Sequence, residues 1–153
     1  MIDEMDFRKS WSFFPTGVSI LAAKNQKDSI HGMTASSVMS ISLDPPIIMV
    51  SIGIERSILE NIERSEFVSV SLLSNNQSNI ATYFSKPHVS NHDFFYNNND
   101  VFFIKDCLGY FFCKKNDFIK VGDHIVYFLE VKEIKFDDKP PLVWYKGKFE
   151  NSL

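Results

Sequence analysis

Apolar residues in this chain come in short runs closed by turn residues, and that punctuation limits its fold more than any other feature. Val18 to Ala23 is apolar, a polar turn follows at Lys24 to Ser29, and Ile30 to Met33 resumes, which predicts a hairpin. Val38, Ile41 and Leu43 run into a stop at Pro45-Pro46, and Ile47 to Ile52 is then almost unbroken, as suits a strand buried on both faces. Phe67 to Leu73 alternates like a half-buried strand. Gly109 to Lys115 and Phe118 to Val121 are two short strand segments. Asp123 to Phe136 is the longest, with Ile125, Tyr127, Leu129 and Val131 on one face and His124, Val126, Phe128 and Glu130 on the other. Leu142 to Tyr145 closes the series after Pro140-Pro141.

Helical periodicity is confined to brief stretches. Phe7, Trp11 and Phe14 recur at helical spacing from Asp3 and stop at Pro15. Ser57-Ile-Leu-Glu60 has the form of a capping box, which starts a second helix at Ser57. A third covers Asn76 to Phe84, with Ile80 and Phe84 on one face. Pro87 to Asp100, rich in asparagine, reads as a long loop. Short strands with few helices exclude alternating βαβ units and predict a mainly β fold, a closed or partly open barrel, in one domain over residues 1–153.

Composition narrows the function classes. A net charge of −3 and the lack of a basic run interleaved with aromatics exclude a nucleic-acid binder. An acidic start and the absence of a long apolar run predict a cytoplasmic protein without a membrane segment. Fifteen Phe in 153 residues are more flat apolar surface than a small domain easily hides, so a ligand or a second subunit is expected to cover some of it. Cys107 and Cys113 match no metal or redox spacing and read as buried thiols. His88 and His92 are four apart, but Pro87 and the surrounding asparagines disfavour the helix a metal pair would need, so no metal is assigned.

Two segments carry binding chemistry. The run His31 to Pro46 is rich in hydroxyls, and Thr34, Ser36, Ser37 and Ser40 supply neutral donors for a phosphate or a heteroaromatic edge. By residue type alone the same run also fits a polar strand face. Ser51 to Ser57 links an apolar strand to a helix start, where Arg56 and the first amides form an anion cradle, or simply an ordinary capped helix.

The ordered set Phe7-Arg8, Phe14-Pro-Thr-Gly-Val18, His31-Gly-Met-Thr-Ala-Ser-Ser37, Ser42-Leu-Asp-Pro-Pro46, Gly122-Asp-His124 and Tyr145-Lys-Gly-Lys-Phe149 resembles the short-chain flavin reductases. These are reductase components of two-component flavin-dependent monooxygenases, with the FMN-binding split-barrel fold. The resemblance implies a homodimer that reduces FMN or FAD with NADH or NADPH and supplies reduced flavin to a partner monooxygenase. It also implies that Thr34, Ala35, Ser36 and Ser37 run along the flavin, that Ser51, Ile52, Arg56 and Ser57 form a second flavin segment, and that Phe84 and Ser85 lie nearby. His124 falls at the nicotinamide side, as the candidate catalytic residue. Pro15 and Ser85 stand where the family has alanine. In such a site the cofactors bring the reactivity, and the protein brings position and electrostatics. A flavin-storing electron-transfer protein and a flavin-dependent oxygenase on the same barrel are the alternatives.

Overall fold

The computed structural model describes residues 2–24, 29–87 and 92–150. Helix α1 (Glu4–Trp11) is capped by Asp3, whose carboxylate accepts from the amides of Met5 and Asp6. The strands and helices that follow are β1 (Thr16–Gly17), β2 (Ser19–Lys24), β3 (Ile30–Ala35), β4 (Val38–Leu43), β5 (Pro46–Gly53), α2 (Leu59–Arg64), β6 (Phe67–Leu72), α3 (Ser78–Phe84), β7 (Phe95–Asn98), β8 (Val101–Ile104), β9 (Gly109–Val121), β10 (His124–Phe136), β11 (Val143–Tyr145) and β12 (Lys148–Glu150).

Seven strands form one antiparallel sheet in the order β3-β2-β6-β9-β10-β5-β4. Its two edge strands, β3 and β4, are joined in sequence by Ser36 and Ser37 alone. So short a link reaches roughly 10 Å from Ala35 to Val38, so the sheet must curl until its edges meet at that bend. No ladder joins β3 to β4 among the described residues. The result is a split barrel, closed at the Ser36-Ser37 bend and open beyond it, as expected from the sequence.

Helix α2 fills the open side. Leu59 and Ile62 turn inward onto Leu21, Val50, Ile52, Val68, Tyr127 and Leu129, and each such side chain contributes about 1.5–3 kcal/mol by leaving water. Lys115 on β9 donates to the carbonyls of Ile62 and Glu63, satisfying the end of this short helix. A second apolar layer lies outside β2, β6 and β9. There Ile20, Ala22, Tyr110 and Phe112 meet Phe84 of α3, Phe95, Phe102 and Ile104 of the β7–β8 hairpin, and Leu142.

Several expectations are corrected. The strand buried on both faces is β2, sandwiched between the two layers, whereas β5 buries only Ile48, Val50 and Ile52 and leaves Met49 half-exposed. Strand β6 is not half-buried: its outward Ser69 and Ser71 lie under the second layer, and the Ser71 hydroxyl accepts from the Ile104 amide. The Ser57 capping box does not form. Helix α2 starts at Leu59 with no side-chain cap, and the Ser57 hydroxyl lies instead 3.4 Å from His31 Nε2. Part of the expected loop is the β7–β8 hairpin, with Asn99 at positive φ in its turn, while residues 88–91, with His88, lie outside the described set. Gly109 to Val121 is a single strand that pairs with β10 through two register shifts.

Cys107 and Cys113 are both buried and free. Burial pushes the Cys113 thiol up to about 12 and raises Cys107 as well, which leaves both protonated and inert near neutrality. No helix among the described residues is long and apolar enough to cross a membrane.

Candidate functional site

The bend that closes the barrel is also the hydroxyl-rich segment. Its four predicted residues have different duties. Thr34 donates its hydroxyl to the Ala81 carbonyl at 2.6 Å, fixing α3 against β3. Ala35 is buried, and its carbonyl accepts from the Ser19 hydroxyl. Ser37 donates to the Ser51 carbonyl at 2.6 Å, and the Ser51 amide donates back to the Ser37 carbonyl at 3.1 Å. Ser36 is exposed beside them. Backbone and hydroxyl groups at 34, 35 and 37 therefore brace the bend, and Ser36 is exposed with its hydroxyl in no hydrogen bond to the described residues, while Ser37, also exposed, has its hydroxyl taken by Ser51.

Because Ser37 binds Ser51, the two predicted segments converge. Ile52 points into the barrel core, so only its backbone is available to a ligand. The following turn carries Arg56, exposed and in no ion pair among the described residues, and Ser57 against His31. Helix α2 has only six residues. Its dipole is correspondingly slight, and the guanidinium of Arg56 is the principal positive group of the turn.

His124 is brought to the same place by β10, whose first residue it is. It sits across from Gly53 in the ladder with β5, and the Ile54 amide donates to the Asp123 carbonyl at 2.9 Å, tying the two turns together. A methyl group built on Gly53 would lie 3.8 Å from His124 Nε2 and 3.8 Å from Arg56 Cγ. Gly53 is thus the floor between a guanidinium and an imidazole, and sequence reading passed over it. The hydrogen bond from His124 holds the Asp123 carboxyl below the usual carboxylate range.

Phe84 is fully buried. Its ring packs edge-on against Tyr83, Phe94 and Phe95, so it shapes the site by placing α3 and not by offering a ring face. Ser85 is exposed and donates its hydroxyl to the Thr82 carbonyl.

On the outer side of the bend lies a cavity of about 790 Å³. Ser36 and Ser37 border it, with Trp11, Phe14, Thr16 and Met49 among its other walls. The Thr16 hydroxyl there is buried and has no hydrogen-bond partner among the described residues. The chemistry available is therefore a mostly apolar slot for a flat ring with neutral donors on its rim, and, in the turn after β5, a guanidinium suited to an anion.

Residues 11–152 match the family described as flavin reductase like domain. The chain is 33% identical over 153 residues to the NADH-dependent flavin reductase StyB of Pseudomonas fluorescens, covering 97% of this chain and 89% of the relative. To the NADH-dependent flavin reductase of Rhodococcus sp it is 29% identical, covering 98% and 87%. Among solved structures, the flavin reductase PheA2 in its native state superposes with a TM-score of 0.88 at 32% identity over 97% of both chains. The styrene monooxygenase flavin reductase from Pseudomonas putida S12 superposes with a TM-score of 0.86 at 28% identity, covering 94% of this chain and 95% of the other.

Proposed function

This chain belongs to the flavin reductase like domain family, and we propose that it transfers hydride from NADH to FMN or FAD and releases the reduced flavin to a separate monooxygenase. The names of its relatives support the reaction and the donor, and the styrene monooxygenase reductase supports the destination. The observation that carries the reading is the paired hydrogen bonding of Ser37 and Ser51, which unites the hydroxyl-rich bend with the arginine turn.

The residues present fit a flavin. Ser36 and Ser37 border an apolar cavity large enough for a ring system, and Arg56 is available for a phosphate. Bound flavin supplies the hydride-accepting ring. The protein's part is to hold Ser36, Ser37 and the amides of the bend along the ring edge, to grip the anionic tail with Arg56, and to leave His124 over Gly53 for the nicotinamide side. Preorganised donors of this kind act without reorganising during the reaction.

The reading includes a homodimer, on residues 1–153 as one domain, in the cytosol. Phe7, Trp11 and Phe14 on and after α1, Met39, Ile41 and Leu43 on the edge strand β4, and Phe118, Ile119 and Val121 at the end of β9 are all exposed in the single chain, and apolar surface of this extent calls for a covering subunit.

Steady NADH oxidation by the purified protein on addition of FMN or FAD tests the proposal. Flavin binding without turnover would replace it with a flavin-storage role, and no interaction with either flavin would remove it altogether.

A further inference from the structure

A row of rings on the outer layer borders a second cavity, away from the bend. Tyr96, Phe103 and Tyr110, one each from β7, β8 and β9, stack side by side. The Tyr96 and Phe103 centroids are 4.9 Å apart, and those of Phe103 and Tyr110 are 4.0 Å apart with planes within 9° of parallel. Tyr96, at the end of the row, keeps 44% of its surface exposed. The cavity along these rings has a volume of about 650 Å³, inside the roughly 300–1,000 Å³ of small-molecule sites. It shares no lining residue with the cavity at the bend.

Strand β10 supplies the next wall. Lys135 is in register with Tyr110, and Glu133 with Phe112. Directly opposed residues of an antiparallel pair share a face, so both charged side chains stand on the side of the sheet that carries the rings. The Tyr110 hydroxyl donates to Glu133 Oε1 and leaves Oε2 without a bond among the described residues. Lys135 makes no hydrogen bond or ion pair among them either. The neighbouring charges are already engaged: Lys105 donates to the Asp93 carbonyl at 2.9 Å, and Asp137 pairs with Lys139 at 3.2 Å. With both signs interspersed, the walls have no single-sign field that would select a plain anion or a plain cation. They offer together a flat aromatic surface, one open ammonium and one open carboxylate oxygen.

We propose that this cavity is a binding site for an aromatic α-amino acid, with the ligand's ring against the Tyr96, Phe103 and Tyr110 row, its ammonium on Glu133 and its carboxylate on Lys135. Ring contacts and two charge-assisted hydrogen bonds then act on one small molecule. Nothing in this site depends on flavin chemistry. A ligand seated there bridges the β7–β8 hairpin to β10 and raises the melting temperature by mass action.

Calorimetric titration and thermal denaturation of the full chain with L-phenylalanine, L-tyrosine and L-tryptophan test this, beside 3-phenylpropionate, phenethylamine and L-leucine. At least one aromatic amino acid should bind and raise the melting temperature. The three analogues, each lacking one of the required groups, should bind on the order of tenfold more weakly or not at all. Glu133→Gln, which keeps an acceptor for Tyr110, and Lys135→Met should each weaken the amino acid on the order of tenfold and leave flavin affinity as in the parent. Saturating FMN should leave the amino acid's affinity unchanged. No binding by any of the three amino acids would overturn the proposal, as would an analogue that binds equally well. Affinity untouched by both substitutions, or lost on adding FMN, would place the ligand elsewhere and overturn it too.

Discussion

Ser37 and Ser51 hold each other by two hydrogen bonds, hydroxyl to carbonyl at 2.6 Å and amide to carbonyl at 3.1 Å. The pair extends the β4–β5 ladder by one rung beyond Val38 and Val50, so one contact aligns the two segments of the proposed flavin site. A brace and a ligand rim are therefore built from neighbouring serines, and substitution can separate them.

Ser37→Ala should cost about 1 kcal/mol of stability, the usual worth of one hydrogen bond, and weaken flavin binding through the loosened bend. Ser36→Ala should leave the melting temperature unchanged and weaken flavin binding alone. Thermal denaturation and quenching of flavin fluorescence, run in parallel, check both. Equal melting temperatures for the two variants would contradict the division of roles.

Arg56→Ala should raise the Kd for FMN on the order of tenfold, with the fold intact because the side chain is exposed. The parent's affinity should fall as salt is added, and the variant's should fall much less, since screening acts on the charge that was removed. Flavin titrations at low and high ionic strength measure this directly.

The place of α3 depends on one absent methyl group. A Cβ at Gly32 would lie 2.8 Å from two atoms of the Phe84 ring, and Phe84 is boxed in by Tyr83, Phe94 and Phe95. Gly32→Ala should therefore destabilise by about 1–3 kcal/mol through overpacking. Phe84→Ala should lose about 3–5 kcal/mol through the cavity it leaves. Combining them should cost less than the sum, because the smaller side chain makes room for the added methyl; chemical denaturation of the set decides it.

Alkaline pH should weaken the outer layer through Tyr110. Burial first, and then its hydrogen bond to Glu133 and that group's charge, push the phenol from 10.0 up to about 12. Since the folded protein holds this proton more tightly than the unfolded chain, the stabilisation is fully present below pH 10 and is lost as pH rises through about 12. Tyr110→Phe should flatten that decline in denaturation curves, and the late phenolate absorbance should vanish with it.

Much of this was legible before any fold was known. The alternation in Asp123 to Phe136 is β10 almost residue for residue, and the strands on either side of the polar break at Lys24 to Ser29 pair with each other, residues 25–28 of that break lying outside the described set, because a period of two is a local property that needs no partner to be read. The serines of the bend and Arg56 were visible as residue types, but by type alone they fitted a polar strand face and an ordinary helix start equally well.

Other features were decided only by what packs against them. Ser57 has the spelling of a helix cap, yet His31, from a strand twenty-six positions earlier, takes its hydroxyl, and a local signal yields when a tertiary partner is nearer. Gly53 was one unremarked position in the link from strand to helix until the ladder set His124 opposite it and the turn set Arg56 beside it. Ser69 and Ser71 were read by their own polarity, but their burial comes from a second layer whose hairpin was hidden in an asparagine-rich stretch. The sequence by itself determined where most strands of the large sheet run and offered residue types suited to an anion or a ring edge. Only strand pairing brought those groups together, β4 on β5 setting Ser37 against Ser51 and β10 on β5 setting His124 against Gly53, because which strands pair depends on chain segments meeting in space, which no local pattern encodes.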